Sequence, residues 1–356
     1  MKKYLFTLFL LLTFTSFSQE KFTLSGTVSD STKGEELINA TIKVKGQNIG
    51  TQSNEYGFYS ITLPAGTYTF IFVTIGYEAK EETVDLTKNT QLNFKLVNSN
   101  EKIKEFAEVN VTAKKLDQQL TDPIMGVERL DPTAIAKIPV LLGEKDIIKT
   151  MQLLPGVKSA GEGNAGFYVR GGAADQNLIL LDEAPVYNAS HLLGFFSTFN
   201  SDAIKDAVLY KGNQPANFGG RLSSVMDIKM NEGNNKRFNV SGGVGVISSR
   251  LNVEGPIIKD KASFLISGRR TYVDMFLKAT DQFKENKLYF YDLNAKVNYR
   301  INQKNRVFMS GYFGRDKLGL GDAFGINWGN ATGTMRWNHI VNDKLFSNTS
   351  VIYSSY

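Results

Sequence analysis

The chain has 356 residues, no cysteine and two histidines, which removes disulfides, thiolate metal sites and cysteine nucleophiles from consideration. Its net charge is +6, with the lysines and arginines scattered rather than massed in a stripe, so no nucleic-acid partner is expected. A 42% hydrophobic content with 32 Gly, 24 Phe and 15 Tyr marks a folded, strand-rich chain and not a disordered one.

At the start, Lys2 and Lys3 precede an apolar run from Tyr4 to Phe14, with small residues at Ser16 and Ser18. That order predicts a secretory signal peptide over residues 1–18, cleaved to leave Gln19 as the mature start. The run is well short of the roughly 20 apolar residues a helix needs to cross a bilayer. No apolar segment of spanning length follows, so membrane insertion would require a closed β-barrel.

Residues 19–97 predict a small β-sandwich. Short strands are expected at Phe22–Val28, Ala40–Val44, Phe58–Leu63, Thr67–Val73, Thr83–Leu86 and Leu92–Leu96, separated by glycines and turn formers such as Pro64-Ala65-Gly66. Gly26-Thr27-Val28, Ala40 to Val44, Gly57-Phe58-Tyr59, Leu63 to Tyr68 and Ile75-Gly76-Tyr77 resemble the carboxypeptidase-regulatory-like domain. That domain is the accessory sandwich of its family and not the peptidase. A zinc peptidase needs a His/Glu ligand cluster beside a general base. His191 and His339 have no partner at ligand spacing, so no metal, no cofactor and no enzymatic activity are expected.

Residues 98–120 read as a charged linker around one alternating hexapeptide, Glu108-Val109-Asn110-Val111-Thr112-Ala113. Residues 121–232 mix helical patches, strands and glycine-rich turns, the pattern of an α+β domain. Apolar residues at Leu142, Ile147, Ile148, Met151 and Leu154 predict a helix over Leu141–Leu154, stopped by Pro155-Gly156. A buried strand is expected at Leu178–Asp182 and a further helical patch at Ala203–Val208. Leu154 to Val157, Val169-Arg170-Gly171-Gly172 and Leu180-Leu181-Asp182 resemble, in that order, the plug domain of TonB-dependent outer-membrane receptors. Carbohydrate-importing relatives close the plug with an Arg-Gly-Ala-Asn-Gly run, from which Ala216 to Ser223 departs; a surface lipoprotein partner is therefore not favoured.

From residue 233 to 356 the grammar is that of barrel strands. Tyr289, Tyr291, Leu293, Ala295, Val297, Tyr299 and Ile301 alternate with Phe290, Asp292, Asn294, Lys296, Asn298, Arg300 and Asn302; the apolar face would meet lipid in a barrel whose polar face lines the lumen, or a core in a soluble sandwich. The apolar phase slips near Gly243 to Arg250. A tight hairpin there brings the count to seven strands, although a β-bulge would give the same slip. Short turns are expected at Pro256–Lys261, Asn302–Asn305 and Asn342–Lys344, with longer links at Leu277–Lys287 and Arg315–Asn327, the loop habit of outer-membrane barrels. Seven strands cannot close round a plug, and plugged transporters have about 22; the chain is expected to be an N-terminal fragment.

The expected fold is thus mainly β: an N-terminal β-sandwich, an α+β plug domain, and the first strands of an incomplete transmembrane antiparallel β-barrel. The resemblance implies a receptor importing a scarce, bulky nutrient, such as an iron–siderophore complex, across the outer membrane of a Gram-negative bacterium. Its partners would be outer-membrane lipid, the nutrient ligand and, beside the periplasmic N-terminal module, the energy-transducing protein TonB. Glu108, Val109, Asn110, Val111, Thr112 and Ala113 would be the TonB box, captured by strand addition. The plug loop places Tyr187, Asn188, Ser190 and His191 as candidate ligand contacts. Arg170 and Arg221 are candidate partners for carboxylates inside the barrel. Two rival readings stay open at this point: a non-transporting surface or adhesion protein, and a signal-transducing receptor, whose αβ signalling domain residues 22–97 do not resemble.

Overall fold

The computed structural model describes residues 20–99, 126–130, 146–161, 166–321 and 323–356. The expected signal peptide and Glu108–Ala113 lie outside the described residues. The chain divides into two compact units, one built on the sandwich and one holding the plug with a seven-stranded sheet.

The sandwich contains β1 (Lys21–Asp30), β2 (Thr41–Val44), β3 (Gly50–Gln52), β4 (Phe58–Pro64), β5 (Gly66–Val73), β6 (Lys80–Leu86), β7 (Thr90–Gln91) and β8 (Phe94–Leu96). β1 pairs with β4, β7 and β8, and the second sheet runs β3-β2-β5-β6. Period-two alternation builds the core: on β5, Phe70 and Phe72 are buried while Thr69 and Ile71 are not. Phe72 stacks on Phe94 with centroids 3.6 Å apart and meets Tyr59 edge-on at 5.7 Å, so aromatic contacts tie the two sheets together. The Tyr59 hydroxyl donates to the Leu92 carbonyl at 2.7 Å, and burial pushes this phenol above its usual range. Gly26 is required by close approach, because a Cβ there would drive into the Leu92 carbonyl oxygen. The six expected strands are present. β3 and β7 are too short to carry a readable period.

The plug contains β9 (Val127–Leu130), α1 (Ile147–Met151), β10 (Val157–Ser159), β11 (Phe167–Val169), β12 (Asn177–Leu181), β13 (Ala184–Pro185), β14 (Ser190–His191), β15 (Phe196–Ser197), β16 (Ile204–Tyr210) and β17 (Ser224–Met230). Its central sheet runs β13-β12-β17-β16-β9, with β12 parallel to β17. Ile147, Ile148, Met151, Phe167, Leu209, Met226 and Ile228 form the core. α1 is capped by Asp146, whose side chain accepts from the Lys149 N–H at 3.0 Å. The helical patch expected at Ala203–Val208 is instead a strand, β16. Ile204, Ala207, Val208 and Leu209 are all buried, and an apolar run buried on both faces has no period by which sequence alone separates strand from helix.

The remaining strands are β18 (Asn239–Val244), β19 (Ser248–Ile258), β20 (Ala262–Thr271), β21 (Lys287–Arg300), β22 (Asn305–Leu320), β23 (Phe324–Asn342) and β24 (Leu345–Ser355), with the short helix α2 (Val273–Leu277) between β20 and β21. They form one meander in sequence order. The expected hairpin is present, with Val244 paired to Ser249. The long link expected over Arg315–Asn327 is not a loop: pairing continues from Arg315↔Gly329 to Leu320↔Phe324. The glycines of this stretch do not interrupt the ladder, Gly319 pairing with Gly325, because its bonds run between backbones. At 16 and 19 residues, β22 and β23 exceed the roughly 9–11 needed to span a bilayer, so their joined end projects beyond that thickness.

Facing follows the sequence. On β21, Leu293 is 47% exposed and Lys296 2%. Tyr291 and Val297 share the exposed side, and Asp292, Asn294 and Asn298 the buried one. Apolar outside and polar inside inverts the soluble-protein rule and is the pattern of a barrel wall.

Candidate functional site

The polar face of this wall is buried because the plug lies against it, and its charges are answered by plug carboxylates. The strand pair β12–β13 turns at Asp182 and Glu183, which have φ 46° and 76°. Two consecutive left-handed residues are what a two-residue hairpin of matching twist demands, and for Glu183 this is strained backbone. The strain presents two acids to the wall. Asp182 pairs with Lys296, whose Nζ lies 2.9 Å from one carboxylate oxygen and donates to the other at 3.2 Å, and accepts from the Met230 N–H at 3.0 Å, while Glu183 accepts from Arg336 at 3.3 Å. Burial raises the Asp182 carboxyl, but Lys296 and Arg336 outweigh it and hold it below the usual range.

Just after β17, Glu232 is held by Lys205 at 3.0 Å and by Arg306 of β22 at 2.8 Å. Its burial is likewise outweighed by Arg306 and Lys205, so it stays ionised. Burial also acts against the Lys205 ammonium, yet Glu232 raises it above its usual range. A further plug acid, Asp202, takes Arg250 of β19 at 2.6 Å.

Toward the other end of the wall the sign reverses. His191, 1% exposed, points Nδ1 at Asp316 (2.7 Å) and Nε2 at Asp292 (3.4 Å) and the Tyr312 hydroxyl (3.2 Å), and stacks on Phe290 at 4.1 Å. The Leu192 N–H donates to the second oxygen of Asp316 at 2.7 Å. Arg269 completes the group by donating to Asp292 at 2.6 Å and to the Ser197 carbonyl at 2.7 Å. Burial disfavours the imidazolium, but hydrogen bonds to Asp292 and Asp316 raise His191 above its ordinary value.

The four residues of the expected ligand loop separate here. Tyr187 is 58% exposed. Asn188 exchanges hydrogen bonds with Asn330 of β23, the Asn330 amide donating to the Asn188 carbonyl at 2.7 Å. Ser190 and His191 are buried. Arg170 and Arg221 are both exposed, Arg170 beside the backbone of Gly126, Gly156 and Gly212 and Arg221 donating to the Gly220 carbonyl at 3.1 Å. Among the described residues neither is seen to meet a wall carboxylate. The wall cations that meet plug carboxylates are Arg250, Lys296, Arg306 and Arg336. Their signal was present as charges on the polar side of alternating strands. Among the described residues no cluster of metal-ligating side chains occurs.

A plug domain seated against an outward-apolar antiparallel sheet defines the class of protein. Residues 24–111 match the CarboxypepD_reg-like domain and residues 129–224 match the TonB-dependent Receptor Plug Domain; the chain carries both. The first match ends at residue 111, so Glu108–Val111 fall within it. No curated protein sequence matches the chain. Among solved structures it is similar to Pseudomonas aeruginosa FpvA bound to heterologous pyoverdines, at 12% identity over 65% of this chain and 34% of that one, TM-score 0.50. It is also similar to the siderophore receptor PirA from Acinetobacter baumannii (18% identity, 65% and 40%, TM-score 0.49) and to the ferric-catecholate import receptor Fiu from E. coli K12 (16%, 64% and 38%, TM-score 0.48). The chain thus spans 34–40% of the length of these structures, and at such identity the likeness concerns the fold.

Proposed function

We propose that this chain supplies the periplasmic module, the plug and the first wall strands of a TonB-dependent outer-membrane receptor that imports a bulky nutrient of the iron–siderophore kind. The observation that carries the reading is the wall itself: an apolar face turned outward and a polar face buried against the plug. The plug is held by several buried ion pairs beside one small apolar cluster, Leu192 and Phe196 against Phe290, so moving it exposes less apolar surface to water than parting a wholly apolar interface would. On this reading lipid surrounds the sheet, Tyr187 and Asn188 floor the ligand site, and Ser190 and His191 hold that floor in place. Glu108–Ala113 is the segment that TonB captures by strand addition.

A second reading of that segment is favoured by the family match ending at residue 111: it belongs to the sandwich domain and not to the coupling step. Uptake by the full-length receptor separates the two. Val111→Pro removes a ladder donor and fixes φ, so it should leave surface binding of ligand normal and abolish import, whereas Val111→Ala should do little. Unimpaired import by the proline variant removes the segment from the mechanism.

A further inference from the structure

We propose that the wall carries an anion-binding station, Lys296, Arg306 and Arg336 gathered around Phe308, which receives a polyanionic solute once the plug carboxylates leave it. Three cations from three neighbouring strands converge on one ring. The Arg336 guanidinium lies 4.4 Å from the Phe308 centroid, that of Arg306 4.7 Å, and Lys296 Nζ 5.9 Å. The ladder register explains the convergence. Phe308 of β22 is opposite Asn298 on β21 and Arg336 on β23; Arg306 and Lys296 each lie two residues along the same face, within diagonal reach.

Three like charges this close on a buried surface require anions beside them. In the seated state these are plug carboxylates: Asp182 on Lys296, Glu232 on Arg306 and Glu183 on Arg336. The ligand chemistry of the cluster is therefore already displayed, carboxylate oxygens held by guanidinium and ammonium donors. The three acids sit close together on the plug, two on the strained turn after β12 and one just after β17. The wall acids Asp292 and Asp316 are engaged elsewhere, with Arg269 and His191. Displacing the plug removes these three counterions together and leaves a cluster of three positive charges on the wall. A solute bearing several carboxylate- or phosphate-like groups takes their place, and a neutral solute does not. The station lies near the Asn302–Asn305 turn, well along the wall from Tyr187's loop, and is separate from the ligand floor.

This proposal rests on the transport reading only for the event that moves the plug. Anion affinity is testable without import, so the two fail separately. In the full-length receptor in detergent, Asp182→Asn, Glu183→Gln and Glu232→Gln together remove the resident charges and keep their shapes. Citrate titrated calorimetrically should bind this variant roughly tenfold or more tightly than the unmodified receptor, and adding Arg306→Gln and Arg336→Gln should abolish the gain. Equal citrate affinity with and without the plug acids, or a gain that survives loss of both arginines, overturns the proposal. The unmodified receptor provides an arm that needs no variant to fold. Citrate should speed amide exchange of β12 and β17 more than sodium chloride of equal ionic strength, by competing with the plug for the same cations. Equal acceleration by the two salts overturns it as well.

Discussion

Asp182 of the plug and Lys296 of the wall meet at 2.9 Å with both side chains almost fully buried, and each is the other's nearest opposite charge. Removing one partner leaves the other uncompensated in a low-dielectric interface, at about 3–5 kcal/mol, whereas replacing both is far cheaper. Asp182→Asn should therefore loosen the plug strongly, and Asp182→Asn with Lys296→Met should recover most of the loss. The urea dependence of protease cleavage within the plug of the full-length receptor measures both. Additive losses would show that the two charges are not coupled.

His191 sets a pH dependence of definite sign. Its folded value is raised above 6.5, so its contribution is complete below the unfolded value and is lost as pH rises through the folded one. The difference in plug stability between the unmodified receptor and His191→Gln should be largest at acid pH and close on the alkaline side. The groups that face the ring are Asp316 and Tyr312 on β22, Asp292 on β21, and Arg269 on β20 through Asp292. A gap constant from about pH 5 to 9 would count against the imidazolium.

Asp182 and Glu232 act at the opposite end of the pH range. Both are held below the usual carboxylate values, so their contribution is present above about pH 4 and is lost as pH falls through the depressed folded values. Acid release of the plug should therefore need lower pH than ordinary carboxylate titration, and Arg306→Gln, which removes one partner of Glu232, should shift that release upward. Protease accessibility across an acid series reads the midpoint.

Arginine on the two faces of β21 should fail for different reasons. At Leu293, on the exposed apolar side, it places a charge in lipid at about 2–4 kcal/mol near the midplane, and the loss should appear in barrel refolding. At Asn294, buried beneath the plug, the added volume overpacks the interface, and the loss should appear as a loosened plug with refolding spared. Identical refolding defects for both variants would contradict the assigned faces.

In the sandwich, Gly26→Ala should cost roughly 1–3 kcal/mol, because its Cβ meets backbone rather than a movable side chain. Limited proteolysis of residues 20–99 within the whole chain provides the readout, with Gly46→Ala as the spatial control. Nothing lies within 4 Å of a Cβ at Gly46, although its φ of 76° adds a backbone term to that variant.

Periodicity made the wall strands legible. Tyr291, Leu293, Ala295 and Val297 announced their face because a strand repeats every two residues. It failed at Ala203–Val208, where burial on both faces leaves no period, and at Arg315–Asn327, where glycines suited to turns are carried by a ladder of backbone bonds. The candidate site was read less well. Leu180-Leu181-Asp182 stood out as a motif, but its chemistry was out of view: Asp182 and Lys296 are 114 residues apart, and only the folded plug brings them together. Arg170 drew notice for its motif and proved to stand in an exposed turn.

What the residues determined alone was the alternation that makes one side of the wall apolar and the order of sandwich, plug and strands, both of them properties of neighbours along the chain. What only the tertiary structure decided was which charges are buried and with whom. His191 is buried against Asp316 and Asp292, and Lys296, Arg306 and Arg336 gather round Phe308, because burial and long-range pairing depend on surfaces that meet only after the plug has folded against the wall.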